Sequence, residues 1–253
     1  MCERECIAAG VMGTREKVFG ASECFTAVVF GPTGATGRYM VKELAESAKC
    51  TQINALTRRE IKDFDATWPN ISKEGRKKVN VQVVDYENLK GTIGSACKEA
   101  DVAFCCLGTT QSEAGGKTQF TKVDLDYVAN SAHQSKEGNV GHFALVTAAG
   151  VFRSCPRFIS NYIWTKARAE EAVLKLQFPL GTSIWHPGML EREEMTRSGT
   201  ETWAKKLGAK GLPVADLAKA MRVYVEQLAS GLRQPKSEEI LKDKDIKHLA
   251  SQN

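Results

Sequence analysis

The sequence predicts an α/β fold built on a doubly wound parallel sheet, and three observations carry that prediction. Short apolar runs alternate along most of the chain with stretches whose apolar residues have helical spacing. The runs are apolar nearly throughout rather than at every second residue, as strands covered on both faces are. The first run ends in a glycine-rich turn that leads directly into a helical stretch. A chain of 253 residues accommodates one such domain. Residues 25–253 are therefore expected to form a single unit, with residues 1–24 as an N-terminal arm.

The elements follow in order. Phe25–Phe30 (FTAVVF) is the first strand, and Arg38–Ala48 is a helix with Met40, Val41, Leu44 and Ala45 on one face. Gln52–Thr57 is the second strand. Val79–Val84 is the third, with a helix expected over Glu87–Ala100. Asp101–Leu107 (DVAFCCL) is the fourth, followed by a helix from about Gln119 to Ser135. His142–Val146 is the fifth, with a helix from about Ile159 to Gln177, and Thr182–His186 is the sixth. Beyond Pro187 the alternation loosens. Residues 189–212 read as a small irregular C-terminal segment over the active face, where a substrate would be selected. Val214–Ser230 is helical, and Glu238–Leu249 adds a last strand and helix.

Composition narrows the function classes. The chain is 42% hydrophobic and 26% charged, ordinary for a soluble globular protein. The net charge is +5, but the one compact basic cluster is Arg76-Lys77-Lys78, which speaks against nucleic-acid binding. The eight cysteines form no repeated C-x-x-C and no Cys/His ladder, so no metal site is expected. Cys105 and Cys106 lie in an apolar run and read as small core residues. No apolar stretch approaches the ~18 residues of a membrane span, and no secretory segment opens the chain. A reduced, cytoplasmic protein is the expectation, with the nucleus as an alternative. Transit peptides avoid acidic residues, so Glu3, Glu5, Glu16 and Glu23 leave mitochondrial targeting as a minority reading.

The first turn reads Gly31-Pro32-Thr33-Gly34-Ala35-Thr36-Gly37. In a G-x-x-G-x-x-G turn between strand and helix, Gly31 permits the sharp bend. Gly34 lets the backbone approach a pyrophosphate, and Gly37 allows close helix–strand packing. The helix opening at Ala35 and Thr36 presents free N–H groups to phosphate, and Thr33 and Thr36 add hydroxyl donors. This is the dinucleotide-binding turn of a Rossmann-type domain. The second strand ends at Thr57-Arg58-Arg59, where NAD-selective folds place an acidic residue for the ribose 2′-hydroxyl. Two guanidinium groups suit a 2′-phosphate instead, which predicts NADP(H). Asp85, closing the third strand, reads either as an acceptor for the adenine amino group or as a helix N-cap. Gly108, after Leu107, lets the backbone pass close to a cofactor ribose.

Tyr162-x-x-x-Lys166 places a phenol and an ammonium on one helix face. The lysine charge favours the phenolate and can also hold the nicotinamide ribose, so the tyrosine can pass a proton to a substrate oxygen while the cofactor carries hydride. The same spacing recurs at Tyr86 and Lys90, but after the third strand, on the adenine side. Position in the fold selects Tyr162 and Lys166.

This ordered set resembles the short-chain dehydrogenase/reductase superfamily. CCLGTT at Cys105–Thr110, VDLDYV at Val123–Val128, HF at His142-Phe143 and HPGML at His186–Leu190 resemble, more narrowly, its atypical Tat-interacting oxidoreductase branch. The similarity runs from about Phe25 to Leu249. It implies a Rossmann-type fold, bound NADPH, and Leu107, Gly108 and Leu190 along the nicotinamide half. It also implies links to transcription and nuclear import, for which the N-terminal arm would be a protein-binding element. Two departures stand out. The superfamily's serine at the end of the fifth strand is replaced by Thr147-Ala148-Ala149, so Thr147 is the remaining hydroxyl for a substrate oxygen, with Ser154 and Ser160 more distant. His186 stands where the branch has arginine, and reads as a strand-end residue lacking the partner that catalysis needs. Two functions follow: an NADPH-dependent oxidoreductase of a small carbonyl or alcohol, or an NADPH-binding regulatory protein with a vestigial site. An epimerase or dehydratase with tightly held cofactor is a third.

Overall fold

The computed structural model describes Phe19, residues 23–192 and residues 211–252. Most of the arm, and residues 193–210 of the expected irregular segment, lie outside the described residues.

Seven strands form one parallel sheet: β1 (Phe25–Phe30), β2 (Cys50–Thr57), β3 (Val79–Val83), β4 (Val102–Cys105), β5 (His142–Val146), β6 (Gly181–His186) and β9 (Lys236–Lys242). Their spatial order is β3-β2-β1-β4-β5-β6-β9. Sequence order reverses beside β1, which makes a crevice at the carboxyl ends of β1 and β4. Two-residue strands β7 (Leu190–Glu191) and β8 (Leu212–Pro213) pair with each other on either side of residues 193–210.

The sheet is covered on both faces, so the inner strands β1, β4, β5 and β6 are buried nearly throughout, whereas the edge strand β3 (VNVQV) alternates apolar and polar residues. On β1, Ala27 and Val29 point into one buried cluster and Val28 and Phe30 into the other. The first cluster lies under α1 (Ala35–Glu46), α8 (Val214–Ala229) and α9 (Asp243–Ala250). The second lies under α6 (Tyr127–Glu137) and α7 (Asn161–Leu174). Phe19 is buried and packs edge-on against Phe25, with ring centroids 6.4 Å apart. No helix among the described residues is long and apolar enough to cross a membrane.

Three stretches differ from expectation. The helix expected over Glu87–Ala100 is instead a 3₁₀ turn (Tyr86–Asn88) and a single helical turn, α4 (Leu89–Thr92). Gly91 weakens that turn, and Gly94 adopts a left-handed φ of +57° that ends it. Two short helices, α2 (Phe64–Thr67) and α3 (Lys73–Lys77), occupy a stretch with no clear periodicity. Each rests on a side-chain cap, Asp63 accepting from Ala66 N and Ser72 from Gly75 N. The basic cluster serves this packing: Arg76 pairs with Asp65 at 3.1 Å and lies over the Phe64 ring, and Lys78 donates to the Ser47 carbonyl. Finally, the helix expected from Gln119 begins as α5 (Lys117–Thr121) and passes through a π-helical turn (Lys122–Asp126) before α6.

Candidate cofactor and active site

A cavity of about 540 Å³ opens at the carboxyl ends of β1, β2 and β4, and Gly31, Thr33, Gly34, Arg58, Arg59 and Gly108 are among its lining residues. The glycine turn is built as its spacing predicts. Gly31 has φ +76°, and a Cβ there would lie 3.1 Å from the Cys106 carbonyl oxygen. At Gly37 a Cβ would lie 2.0 Å from the Gly31 carbonyl oxygen, so only glycine lets α1 start against the turn. Gly34 differs: a Cβ would meet only the Gly31 oxygen, at 3.5 Å. The protein itself has room for a side chain at Gly34, so the bare backbone there suits something that sits on the turn. Gly34 caps α1 without a side-chain hydrogen bond, and the first turn holds no acidic residue. Its N–H groups are left for an anion. Ala35, Thr36 and Gly37 form that first turn, with Thr36 and Gly37 buried. Buried Trp68 donates its indole N–H to the Pro32 carbonyl at 3.0 Å and braces the loop from behind. These features fit a pyrophosphate.

Arg58 and Arg59 are exposed on the cavity wall, and neither makes an ion pair with a described residue, although Glu60 lies beside them. Asp85 lies outside this cavity, in a smaller one that shares Arg58, Tyr86 and Tyr127. Its carboxylate accepts from Glu87 N at 2.9 Å, the capping role. Tyr86 and Tyr127, which line both cavities, pack with tilted rings, centroids 5.4 Å apart, and Tyr127 donates its hydroxyl to the Glu87 carboxylate. The second Tyr-x-x-x-Lys pair is dispersed: Tyr86 is buried with its hydroxyl on the Leu56 carbonyl, whereas Lys90 reaches Glu137.

Tyr162 and Lys166 lie in the first half of α7. Tyr162 is exposed, and its ring stacks on Phe120 of α5 at 5.5 Å. Lys166 points inward with only 7% of its side chain exposed, and its Nζ lies 2.6 Å from Oδ1 of Asp124, which is fully buried. The other Asp124 oxygen accepts from Thr109 N at 2.9 Å. A Cβ on Gly108 would lie 3.4 Å from Lys166 Nζ and 3.6 Å from Asp124 Oδ1, so the ion pair borders the cavity floor. Burial works against the ammonium, but the charges of Asp124 and then Tyr162 outweigh it and hold Lys166 above the usual lysine range.

Thr147 is placed differently from a free substrate ligand. Its hydroxyl donates to Glu170 Oε1 at 2.7 Å, and His186 Nε2 lies 2.8 Å from the same oxygen. All three side chains are buried. His186 therefore has the partner that the sequence did not reveal. Ser160 caps α7 through Ile163 N. Leu190 is buried in the core cluster on the α1 face and does not line the described cavity. Sequence reasoning missed Asp124, Glu170 and Trp68. Glu170 had a legible signal, because Tyr162, Lys166 and Glu170 recur every four residues along one helix face. Asp124 lay within the VDLDYV stretch that carries the resemblance, but a π-helical turn breaks the helical period that would have placed it against Lys166.

Residues 31–227 match a family model described as NAD(P)H-binding. Protein HTATIP2 of Rattus norvegicus is 32% identical over 231 residues, covering 87% of each chain. "Protein FMP52, mitochondrial" of Debaryomyces hansenii is 30% identical over 166 residues, covering 65% of this chain and 66% of that one. Among solved structures, vestitone reductase of Medicago sativa superposes with a TM-score of 0.62 at 17% identity, covering 87% of this chain and 77% of that one. A UDP-N-acetylglucosamine 4-epimerase of Methanobrevibacter ruminantium M1 gives 0.64 at 13% identity, covering 87% and 76%. Reductase and epimerase share this fold, so the fold alone does not select a reaction. The turn, the cavity and the match over residues 31–227 lead to one conclusion: this chain belongs to the NAD(P)H-binding family, as a homologue of HTATIP2.

Proposed function

We propose that this chain is an NADPH-dependent oxidoreductase that reduces a small carbonyl compound. The observation that carries the reading is one cavity joining the glycine turn, two guanidinium groups without ion-pair partners among the described residues, and a floor at Gly108 bordered by Lys166. Gly31, Gly34 and the first N–H groups of α1 would hold the pyrophosphate. Arg58 and Arg59 would hold the 2′-phosphate by charge-assisted bonds. A bound nicotinamide would supply hydride. Tyr162, exposed and steadied by Phe120, would give its proton to the substrate oxygen as negative charge develops there. Lys166 would stabilise the resulting phenolate and hold the nicotinamide ribose.

A second reading has its own observation. The Thr147 hydroxyl is buried on Glu170, so the position that receives the substrate oxygen elsewhere in the superfamily has its donor engaged. That favours an NADPH-binding regulatory protein whose partner contacts involve the N-terminal arm, in keeping with the HTATIP2 relative. For location, the four glutamates of residues 1–24 favour the cytoplasm and the printed name of the fungal relative the mitochondrion. Imaging of the tagged full chain distinguishes them.

Fluorescence titration with NADPH and NADH is the first test. NADPH is expected to bind roughly 10- to 100-fold tighter through the two arginines. Equal affinities would remove Arg58 and Arg59 from the site. A carbonyl screen follows, with Tyr162→Phe expected to lower turnover by roughly 10²- to 10⁴-fold at nearly unchanged NADPH affinity. Tight NADPH binding without turnover of any carbonyl would favour the regulatory reading.

A further inference from the structure

Lys166 is a buried cation reached from three elements. Asp124 faces it from the π-helical turn, Cys105 from β4, and Tyr162 from its own helix α7. Burial pushes the Cys105 thiol up to about 12, so it carries no charge near neutrality. Tyr162 is exposed, and its charge is the one that changes in the proposed reaction. Asp124 is thus the standing countercharge. Its placement depends on a backbone irregularity. In an unbroken α-helix the carbonyl ladder would keep a 3.6-residue period, whereas the extra residue of a π-turn rotates the following side chains, and such turns are frequent at functional sites. Here the turn spans Lys122–Asp126, and the side chain at its centre is fully buried against Lys166 and the backbone after β4.

We propose that Asp124 is a positioning residue of this site: its carboxylate pins the Lys166 head group beside Gly108 and supplies the countercharge without which so buried a lysine would give up its proton. The proposal rests on reading Tyr162 and Lys166 as the working pair, and it makes that pair a triad. Charge in an apolar interior is stable only when paired and hydrogen-bonded. The carboxylate is paired through Oδ1, 2.6 Å from the ammonium, and hydrogen-bonded through Oδ2, which accepts from Thr109 N at 2.9 Å. With the phenol protonated, Lys166, Asp124 and Tyr162 together carry no net charge.

The test replaces Asp124 with asparagine, which keeps an acceptor for Thr109 N and removes the charge. The charge of Lys166 is read directly in cofactor-free protein from the ¹³Cε shift of labelled lysine against pH. The signal is assigned by its absence from the Asp124→Asn/Lys166→Met double variant. In Asp124→Asn the Lys166 step is expected at least about two pH units below its wild-type position, a hundredfold loss of proton affinity. A step at the wild-type position in a folded Asp124→Asn protein overturns the proposal. NADPH affinity above pH 7 supplies the second readout. It should fall across the same step in Asp124→Asn and stay level in wild type and in the double variant, a difference that a merely structural role would not produce. A level profile in Asp124→Asn overturns the positioning role. If wild type binds no NADPH, the proposed function fails while the lysine titration still decides this proposal. If Asp124→Asn does not fold but the double variant does, the uncompensated ammonium is the cause, as proposed. If neither folds, the fold needs the Asp124 carboxylate even where no lysine charge has to be balanced, and the proposal falls.

Discussion

Glu170 shows how one buried carboxylate changes the reading of two neighbours. Taken alone, Thr147 is a hydroxyl where a serine is usual, and His186 is a titratable ring at a strand end. With Glu170 between them, both side chains are bonded to a single oxygen at 2.7 and 2.8 Å. Buried polar groups are expensive to leave unpaired, so the network can be tested through stability without any substrate. Thr147→Val keeps the shape and removes the donor. It should lower the free energy of unfolding by about 1–3 kcal/mol, measured by urea denaturation, because Glu170 loses one of its two partners among the described residues. Wild-type stability in Thr147→Val would mean that the hydroxyl is not bonded to Glu170 in solution. The residues of the proposed site that carry a one-dimensional signature are the three glycines, the two arginines and the Tyr-x-x-x-Lys pair. Asp124, Glu170 and Trp68 act through partners 36 to 42 positions away or 16 to 23 away, and although its spacing puts Glu170 on the face of Tyr162 and Lys166, no local pattern names the partners of the three.

At the scale of elements, strands were readable to within about two residues, because a strand buried on both faces is a run of apolar residues and turns bound it. Helices were readable where one apolar face persisted for several turns, as in α1 and α8. They failed where caps or backbone geometry decide. Side-chain caps and tertiary packing hold α2 and α3, left-handed Gly94 stops α4, and the π-turn before α6 has no sequence period of its own. The glycine turn gives this scale its sharpest contrast, since one added methyl group means different things at two of its positions. Gly37→Ala drives a Cβ to 2.0 Å from the Gly31 oxygen, so the turn or α1 must shift. A loss of about 1–3 kcal/mol of stability is expected, with NADPH binding lost alongside. Gly34→Ala meets nothing closer than 3.5 Å and should change stability by less than about 1 kcal/mol. NADPH should nonetheless bind roughly tenfold or more weakly, because the new methyl occupies the surface that a pyrophosphate would approach. Paired thermal melts and cofactor titrations separate the two effects. Equal NADPH affinity in wild type and Gly34→Ala would place the phosphates elsewhere.

For the whole molecule, the sheet that positions the site also buries a titratable ring between β5 and β6. His142 lies at the opposite end of β5 from Thr147. Its Nδ1 is 3.1 Å from the Leu180 carbonyl, and its Nε2 is 2.9 Å from the Ser183 hydroxyl, which also accepts from the Trp185 indole. The carbonyl can only accept, so the neutral ring carries its proton on Nδ1. Complete burial lowers the pKa of His142 from 6.5 to about 4. In the unfolded chain the ring takes up a proton near pH 6.5, and in the folded protein not until about pH 4. Between those values the unfolded state binds more protons, so stability falls as pH falls through the window and is unaffected by this group above it. The full shift corresponds to a loss on the order of 3 kcal/mol. Asp101 works in the opposite direction, because burial raises its carboxyl and makes its protonation favour the folded state. Comparison with His142→Gln cancels that contribution, since Asp101 is present in both proteins. Glutamine can donate to Leu180 and accept from Ser183 but cannot titrate. Wild type should be the more stable protein at pH 7, and its advantage should shrink by roughly 2–4 kcal/mol as urea denaturation is repeated down to pH 4. Two proteins that lose stability in parallel over that range would show that His142 is protonated in the folded state at the same pH as in the unfolded chain.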